Sequence, residues 1–111
     1  MPEKITENIQ AIQDYKFFHK LASQPFVKEI WLFGSRARGD NQDRADIDLA
    51  ISCPLATFQN WMAIQEIIEN ADTLLKIDCI RLDELDENSA LKQSVLTQGI
   101  KLYNQFTIEW L

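Results

Sequence analysis

Two aspartates that lie two positions apart are the first feature of this sequence that suggests chemistry. Asp46 and Asp48 begin a segment, residues 46–53, in which apolar and other side chains alternate as in a β-strand. Because successive side chains of a strand point to opposite faces, both carboxylates project from the same face, about 6–7 Å apart. Two such anions cost free energy unless a cation joins them. Mg²⁺ accepts ligands of this kind together with phosphate oxygens.

A third acid, Asp78, lies in another apolar segment that we predict to be a strand over residues 74–82. A carboxylate inside such a run is costly to bury without a counter-ion. If this strand lies beside the one that carries Asp46 and Asp48, the three acids form one cluster. A lone pair of alternating aspartates is most often a solvent-facing pattern, so the prediction of a metal site depends on a second feature.

That second feature is a glycine–serine turn at Gly34 and Ser35, directly after an apolar run at residues 27–33. Glycine allows the backbone to approach a phosphate closely, while the serine hydroxyl and the free N–H groups of a helical turn are phosphate donors. Arg36, Arg38 and Arg44 follow closely and could add phosphate contacts. A strand, this turn and a second strand with paired aspartates together predict a site for a metal-bound nucleoside triphosphate.

The elements that must position these residues follow from hydrophobic periodicity. Helices are predicted at residues 6–23, 57–70 and 86–98, a helical turn at 35–39, and strands at 27–33, 46–53, 74–82 and 100–103. We expect an α/β (α+β) fold in which helices pack on a small mixed sheet, with a parallel crossover through the helix at 57–70. Apolar stripes are expected to face the core; their members are Phe58, Trp61, Met62 and Ile68 in one helix and Leu91, Val95 and Leu96 in another. Gly99 is expected at a helix C-cap.

Composition limits the remaining functions. The 111 residues suffice for one domain, 1–111, and the net charge of −6 comes without a basic stripe, so we expect no direct binding of nucleic acid. The apolar runs are too short to span a membrane, and the polar N-terminus does not resemble an export signal. We therefore expect a cytoplasmic protein. The apolar tail, which includes Phe106, Ile108, Trp110 and Leu111, is expected either to pack on the core or to dock on a partner.

The motifs together resemble those of a known superfamily. Phe-Gly-Ser-Arg-Ala-Arg-Gly at residues 33–39 and Ala-Asp-Ile-Asp-Leu-Ala-Ile at 45–51 resemble the signature of the DNA polymerase β-like nucleotidyltransferases. Residues 77–80 are similar to the strand that carries the third acid, and residues 96–103 to the terminal helix, glycine and strand. The chain most resembles the minimal nucleotidyltransferases, which are single-domain proteins of similar length.

This resemblance implies a polymerase β-like fold and a role for each motif residue. Gly34 and Ser35 would hold the triphosphate of ATP. Asp46 and Asp48 would bind two Mg²⁺ ions, and Asp78 would ligate the metal nearer the acceptor hydroxyl and help to activate that hydroxyl. A two-metal site of this kind stabilises both the attacking and the leaving oxygens of an in-line displacement.

The resemblance also implies a partner. Minimal nucleotidyltransferases resemble the antitoxins of two-gene modules whose toxin is an all-helical HEPN ribonuclease. The implied enzyme is a protein adenylyltransferase that transfers AMP from ATP to a hydroxyl of that toxin, with tyrosine as the expected acceptor. Eight residues follow Tyr103, so we expect another protein to supply the acceptor. Two alternatives stay open: a non-catalytic antitoxin that neutralises the toxin by binding it, and a small-molecule nucleotidyltransferase that needs a partner subunit. The sequence does not decide between a homo-oligomer and a hetero-oligomer.

Overall fold

One mixed sheet forms the centre of the molecule. The structure, a computed structural model, describes residues 2–105, and within them the strands are β1 (Glu29–Phe33), β2 (Ile47–Ser52), β3 (Ile77–Arg81) and β4 (Ile100–Asn104). Their order across the sheet is β3-β2-β1-β4. β1 runs antiparallel to β2 and β4, whereas β2 and β3 are parallel. The predicted fold class and parallel crossover are confirmed. The predictions for Phe106, Ile108, Trp110 and Leu111 lie outside the described residues.

Helices pack on both faces of this sheet. In the described part of the chain they are α1 (Glu3–Asp14), α2 (Lys16–Ala22), α3 (Ser35–Arg38), α4 (Phe58–Glu69) and α5 (Ala90–Gln98), with a short 3₁₀ turn at Leu82–Glu84. The Thr57 side chain accepts a hydrogen bond from the Asn60 N–H, and the Asn60 side chain accepts one from the Thr57 N–H. This capping box fixes where α4 begins. Ser89 caps α5 in a similar way, with its hydroxyl accepting from the Lys92 N–H.

The prediction of a single N-terminal helix over residues 6–23 is wrong. Tyr15 adopts an extended conformation, with ψ at 146°, and separates α1 from α2. The Asp72 carboxylate accepts hydrogen bonds from the N–H groups of Lys16 and Phe17, at 2.8 and 2.9 Å. Because an aspartate far away in sequence caps the second helix, periodicity near Tyr15 could not reveal the break.

Each face of the sheet has its own core. The larger core lies on the face covered by α1, α2 and α4, and includes Ile12, Leu21, Ile30, Leu32, Leu49, Ile51 and Ile64. The opposite face carries a smaller core of Ala50, Leu82 and Val95, with Trp31 and Phe33 packed against it. The predicted alternation of β2 is confirmed, since Ile47, Leu49 and Ile51 belong to the larger core and Ala50 to the smaller one.

Two predicted core stripes are only half right. Trp61 and Ile68 pack against the larger core, but Phe58 is 72% exposed and Met62 is 52% exposed. At about 100° per residue, Met62 lies on the side of α4 opposite the buried Ile64. In α5, Val95 is buried, whereas Leu91 and Leu96 are 40% and 44% exposed. A single helix layer covers each face, so apolar residues on the outer side of α4 and α5 have no second layer to meet.

Gly99 occupies the predicted C-cap position of α5, but its backbone is extended rather than left-handed, with φ at −77°. The reason for glycine is the close approach of other backbone atoms. A side-chain carbon at this position would collide with the Val95 carbonyl oxygen and lie 3.1 Å from the Leu32 carbonyl oxygen.

No helix of the described residues 2–105 combines the length and apolarity needed to cross a bilayer.

Candidate active site

The register of the sheet brings two of the predicted acids together. β2 and β3 pair in parallel so that Asp48 lies directly opposite Asp78. Phe33, at the end of β1, lies opposite Asp48 on the other side. Because Gly34 and Ser35 directly follow β1, the turn lies at the same end of the sheet as Asp48 and Asp78.

The turn is in direct contact with one of the acids, Asp48. Gly34 has a positive φ of 72°, and a Cβ at this position would clash with the Oδ2 atom of Asp48 and lie 3.1 Å from its Cγ. The backbone of the turn thus lies against the Asp48 carboxylate. A nucleotide phosphate held at this turn and a cation held by this carboxylate would be neighbours.

The electrostatics at Asp48 link this residue to the two other predicted acids. Partial burial raises the pKa of Asp48, and the negative charges of Asp78 and Asp46 raise it further, while Arg38 acts in the opposite direction. Asp46 is half-buried and lies in the loop just before β2, so it is outside the strand in which it was predicted. Asp48 therefore interacts with each of the other two predicted acids, and we refer to Asp46, Asp48 and Asp78 as the acid cluster.

Lys76 is a site neighbour that the sequence reading missed. Its ammonium lies 3.6 Å from Oδ1 of Asp78, and both side chains are well exposed. Since residues 76 and 78 lie two apart in an extended segment, they point to the same side, and this spacing was the signal that could have identified Lys76. The pair is exposed, so its contribution to folding is small.

Ser35 is the first residue of α3, a helix of four residues that ends at Gly39. Gly39 adopts the left-handed conformation, with φ at 85°, and its N–H donates to the Ser35 carbonyl oxygen. Ser35 is half-buried at the start of this turn and directly follows Gly34. The predicted strand, glycine, serine and helical turn are all present in the structure.

Arg36 does not have the position expected of a phosphate ligand. Its side chain is buried, and its guanidinium donates to the carbonyl oxygens of Asp43 and Ala45 at 3.2 and 2.8 Å. It therefore fixes the loop that leads into Asp46. The geometry does not support the prediction that Arg36 binds nucleotide and gives this residue a structural role instead.

The other two arginines remain available at the surface. Arg38 is exposed and forms an ion pair with Asp40 at 3.2 Å, and its positive charge partly opposes the rise in the pKa of Asp48. Arg44 is exposed in the loop before Asp46. Of the predicted arginines, Arg38 is thus the one whose charge reaches the acid cluster.

A buried asparagine of α1, Asn8, forms hydrogen bonds with α3 and with the residues that follow it. The Asn8 side-chain amide donates to the Arg36 carbonyl oxygen at 3.0 Å and to Asn41 Oδ1 at 2.8 Å. Asn8 lies on the same face of α1 as Ile5 and Ile12. A polar residue within an apolar stripe indicates a buried side chain with hydrogen-bond partners, and this pattern could have identified Asn8 from the sequence. These contacts connect α1 to α3 and to the beginning of the loop between α3 and β2.

The sequence as a whole matches a family with this arrangement. The family model described as Polymerase beta, Nucleotidyltransferase matches residues 16–107, which include every predicted site residue. The chain belongs to this nucleotidyltransferase family. No protein of curated function matches it in sequence.

Solved structures with the same fold include toxin–antitoxin complexes. A chain of a toxin–antitoxin complex with AMP-PNP aligns with a TM-score of 0.60 and 27% identity, covering 79% of this nucleotidyltransferase and 71% of that chain. A chain of the MntA-HepT complex aligns at 0.54 and 24% identity, with coverage of 89% and 72%. A third match is to a complex of tri-AMPylated HEPN toxin with MNT antitoxin from Shewanella oneidensis, at 0.55 and 24% identity, with coverage of 90% and 72%.

The donor set of this nucleotidyltransferase suits a hard cation in its chemistry. Asp48 and its acidic neighbours offer carboxylate oxygens, and their mutual repulsion is the condition that a bound cation relieves. Among residues 2–105, no group of three or more Asp, Glu, His or Cys side chains is arranged so that it could hold a metal ion. The described side chains alone therefore do not form a metal site, and a cation bound there would need further ligands such as nucleotide phosphates.

Proposed function

We propose that this nucleotidyltransferase transfers AMP from ATP to a hydroxyl, with tyrosine as the expected acceptor, on a partner HEPN protein and thereby acts as its antitoxin. The observation that carries the proposal is the contact between the Gly34 turn and the Asp48 carboxylate, with Asp78 directly opposite. Similarity to a toxin–antitoxin chain with AMP-PNP, an analogue of ATP, supports ATP as the substrate. The HEPN toxin described as AMPylated in a complex of the same fold supports the acceptor class.

The proposed roles follow from the positions of the residues. Gly34 and Ser35 bind the triphosphate with backbone N–H groups and a hydroxyl, and the exposed Arg38 adds positive charge near it. Asp46, Asp48 and Asp78 would hold two Mg²⁺ ions, which when bound neutralise charge on the phosphates and favour in-line displacement. Positioning and charge neutralisation of this kind supply most of the catalysis in phosphoryl chemistry.

The proposed reaction balances without a further reactant. The acceptor oxygen forms a bond to the α-phosphorus of ATP while the bond from that phosphorus to the bridging oxygen of the β-phosphate breaks. Pyrophosphate leaves, and the acceptor proton passes to the Asp78 carboxylate. The tyrosine hydroxyl is then a phosphodiester of AMP.

The test uses the purified chain, the product of the neighbouring gene, ATP and Mg²⁺. Intact-mass spectrometry is expected to show the partner heavier by whole AMP units, and peptide mapping to place AMP on a tyrosine. Asp48→Asn is expected to abolish the adduct, and omission of Mg²⁺ to do the same. Full neutralisation of the partner without ATP, or by Asp48→Asn, would support a non-catalytic antitoxin instead.

A further inference from the structure

The outer side of α4 carries an apolar patch next to an acidic one. Phe58, Met62 and Glu66 succeed one another at intervals of four residues, so their side chains lie one above the other on one face of the helix. Leu55, just before the helix, is 88% exposed, and Phe58 and Met62 are 72% and 52% exposed. We name Leu55, Phe58, Met62, Glu66 and Glu69 the outer α4 surface.

This surface contributes little to the fold of the chain. The stripe of α4 that packs on the sheet contains Trp61, Ile64 and Ile68, and Ile64 is completely buried. Glu66 and Glu69 are exposed, and among the ion pairs of residues 2–105 neither is a partner. Large exposed apolar side chains bordered by charged ones are typical of protein interaction sites.

The order of these residues specifies the chemistry of the partner. An apolar half followed by an acidic half is complementary to a segment with an apolar anchor and one or two Lys or Arg side chains beyond it. A second copy of this chain does not fit. In antiparallel contact the glutamates of each copy would face the other's Phe58 and Met62, and in parallel contact they would face each other. The net charge of −6 further disfavours self-association.

The position of the surface separates it from the acid cluster. Phe58 begins α4 shortly after the end of β2 at Ser52, whereas Asp48 and Asp78 lie near the starts of β2 and β3. The apolar patch therefore lies toward the end of the sheet opposite the catalytic acids, on the face covered by α1, α2 and α4. A partner bound there would leave the nucleotide site accessible.

We propose that the outer α4 surface is a docking site, separate from the catalytic acids, for a helix or other segment of the partner protein that presents an apolar anchor followed by basic residues. The inference rests on the proposed function for the identity of that partner. Docking at α4 holds the partner while its acceptor hydroxyl reaches the acid cluster. It therefore contributes to the affinity for the partner and not to the chemical step.

The test measures by calorimetry, at low and high salt, the dissociation constant for the product of the neighbouring gene, which the proposed function expects to be a HEPN protein. Phe58→Asp and Met62→Glu are each expected to weaken binding by about tenfold or more, as central interface side chains do. The double variant Glu66→Lys/Glu69→Lys is expected to weaken binding several-fold at low salt and to reduce its salt dependence, because salt screens exposed charges. Leu91→Gln, at an exposed apolar position on α5, is the matched control and is expected to bind like wild type.

Two further measurements separate docking from catalysis. Asp48→Asn is expected to bind the partner as tightly as wild type without transferring AMP, and Phe58→Asp to transfer AMP at an unchanged kcat with a raised KM for the partner. Wild-type affinity in Phe58→Asp and Met62→Glu would overturn the docking site while leaving the proposed reaction intact. Loss of affinity in those variants, together with no AMP transfer by wild type, would support the docking site and overturn the reaction. A wild-type chain that does not bind the HEPN protein would overturn both.

Discussion

At the scale of single residues, the site depends on Gly34 having no side chain. Gly34 combines a positive φ with direct contact to Asp48, so any side chain there would have to displace the carboxylate. Sequence could identify Gly34 from its place between an apolar run and Ser35. It could not show that the glycine is required by an aspartate from the next strand, because that contact exists only after β1 and β2 pair.

Gly34→Ala is therefore expected to damage both stability and nucleotide binding. The strained backbone should lower the free energy of unfolding by roughly 1–3 kcal/mol, measured by urea denaturation. Displacement of Asp48 should also weaken binding of ATP with Mg²⁺, measured by calorimetry. Gly39→Ala is the matched control, since Gly39 also has a positive φ but faces Ile5. Equal loss of ATP affinity in both variants would contradict the role assigned to Gly34.

Mutation of the two arginines that flank Ala37 should affect different properties: stability for Arg36, and the KM for ATP for Arg38. Arg36→Ala removes a buried guanidinium that donates to two loop carbonyls, and is expected to cost roughly 1–3 kcal/mol of unfolding free energy. Arg38→Ala removes an exposed ion pair and is expected to change stability by less than about 0.5 kcal/mol while raising the KM for ATP. Thermal melts and steady-state kinetics check the two halves. A stable Arg36→Ala variant with a raised KM would restore Arg36 as a nucleotide ligand.

At the scale of elements, the sequence predicted the strands better than the helices. Period-two alternation identified β2 and β3, because it depends only on neighbours in the chain, but it extended β2 to Asp46, which lies in the loop before the strand. The break at Tyr15 and the exposed side of α4 could not be predicted in this way. The first depends on Asp72, and the second on how many layers cover the sheet. The placement of Arg36 was missed for the same reason, since its acceptors lie in a loop whose path is set by tertiary contacts.

The cap that Asp72 provides to α2 gives a prediction at this scale. Hydrogen bonds from the Lys16 and Phe17 N–H groups lower the pKa of Asp72. A lowered pKa means that its stabilising effect is present above the ordinary value of 3.8 and is lost as the pH falls through the folded-state pKa. Asp72→Ala is expected to lower the melting temperature at pH 7, and the difference from wild type should shrink toward pH 3. Asp14→Ala, at the end of α1, serves as the control. A difference that is independent of pH would show that the carboxylate charge is not involved.

At the scale of the whole molecule, we expect the repulsion between the acids at Asp48 to oppose folding. The chain has a net charge of −6. At one end of the sheet, the negative charges of Asp78 and Asp46 repel that of Asp48. Nothing in the described core requires a carboxylate at residue 48, since its neighbours Leu49 and Ala50 belong to the two apolar cores. The electrostatic strain is understandable if a cation and a nucleotide offset it in the working enzyme.

Asp48→Asn should therefore separate stability from activity. In metal-free buffer the variant is expected to melt at a higher temperature than wild type, because the amide keeps the shape of the side chain and removes one of the repelling charges. Addition of Mg²⁺ with a non-hydrolysable ATP analogue should stabilise wild type by about 2.7 kcal/mol at a ligand concentration 100-fold above the dissociation constant. The variant should gain far less, so the order of the melting temperatures is expected to reverse on ligand addition. Asp43→Asn, in the exposed loop before the cluster, is the control and should gain as much as wild type. A lower melting temperature for Asp48→Asn than for wild type in metal-free buffer would contradict this expectation. It would show that the Asp48 carboxylate stabilises the fold and that its repulsion by Asp78 and Asp46 does not limit stability.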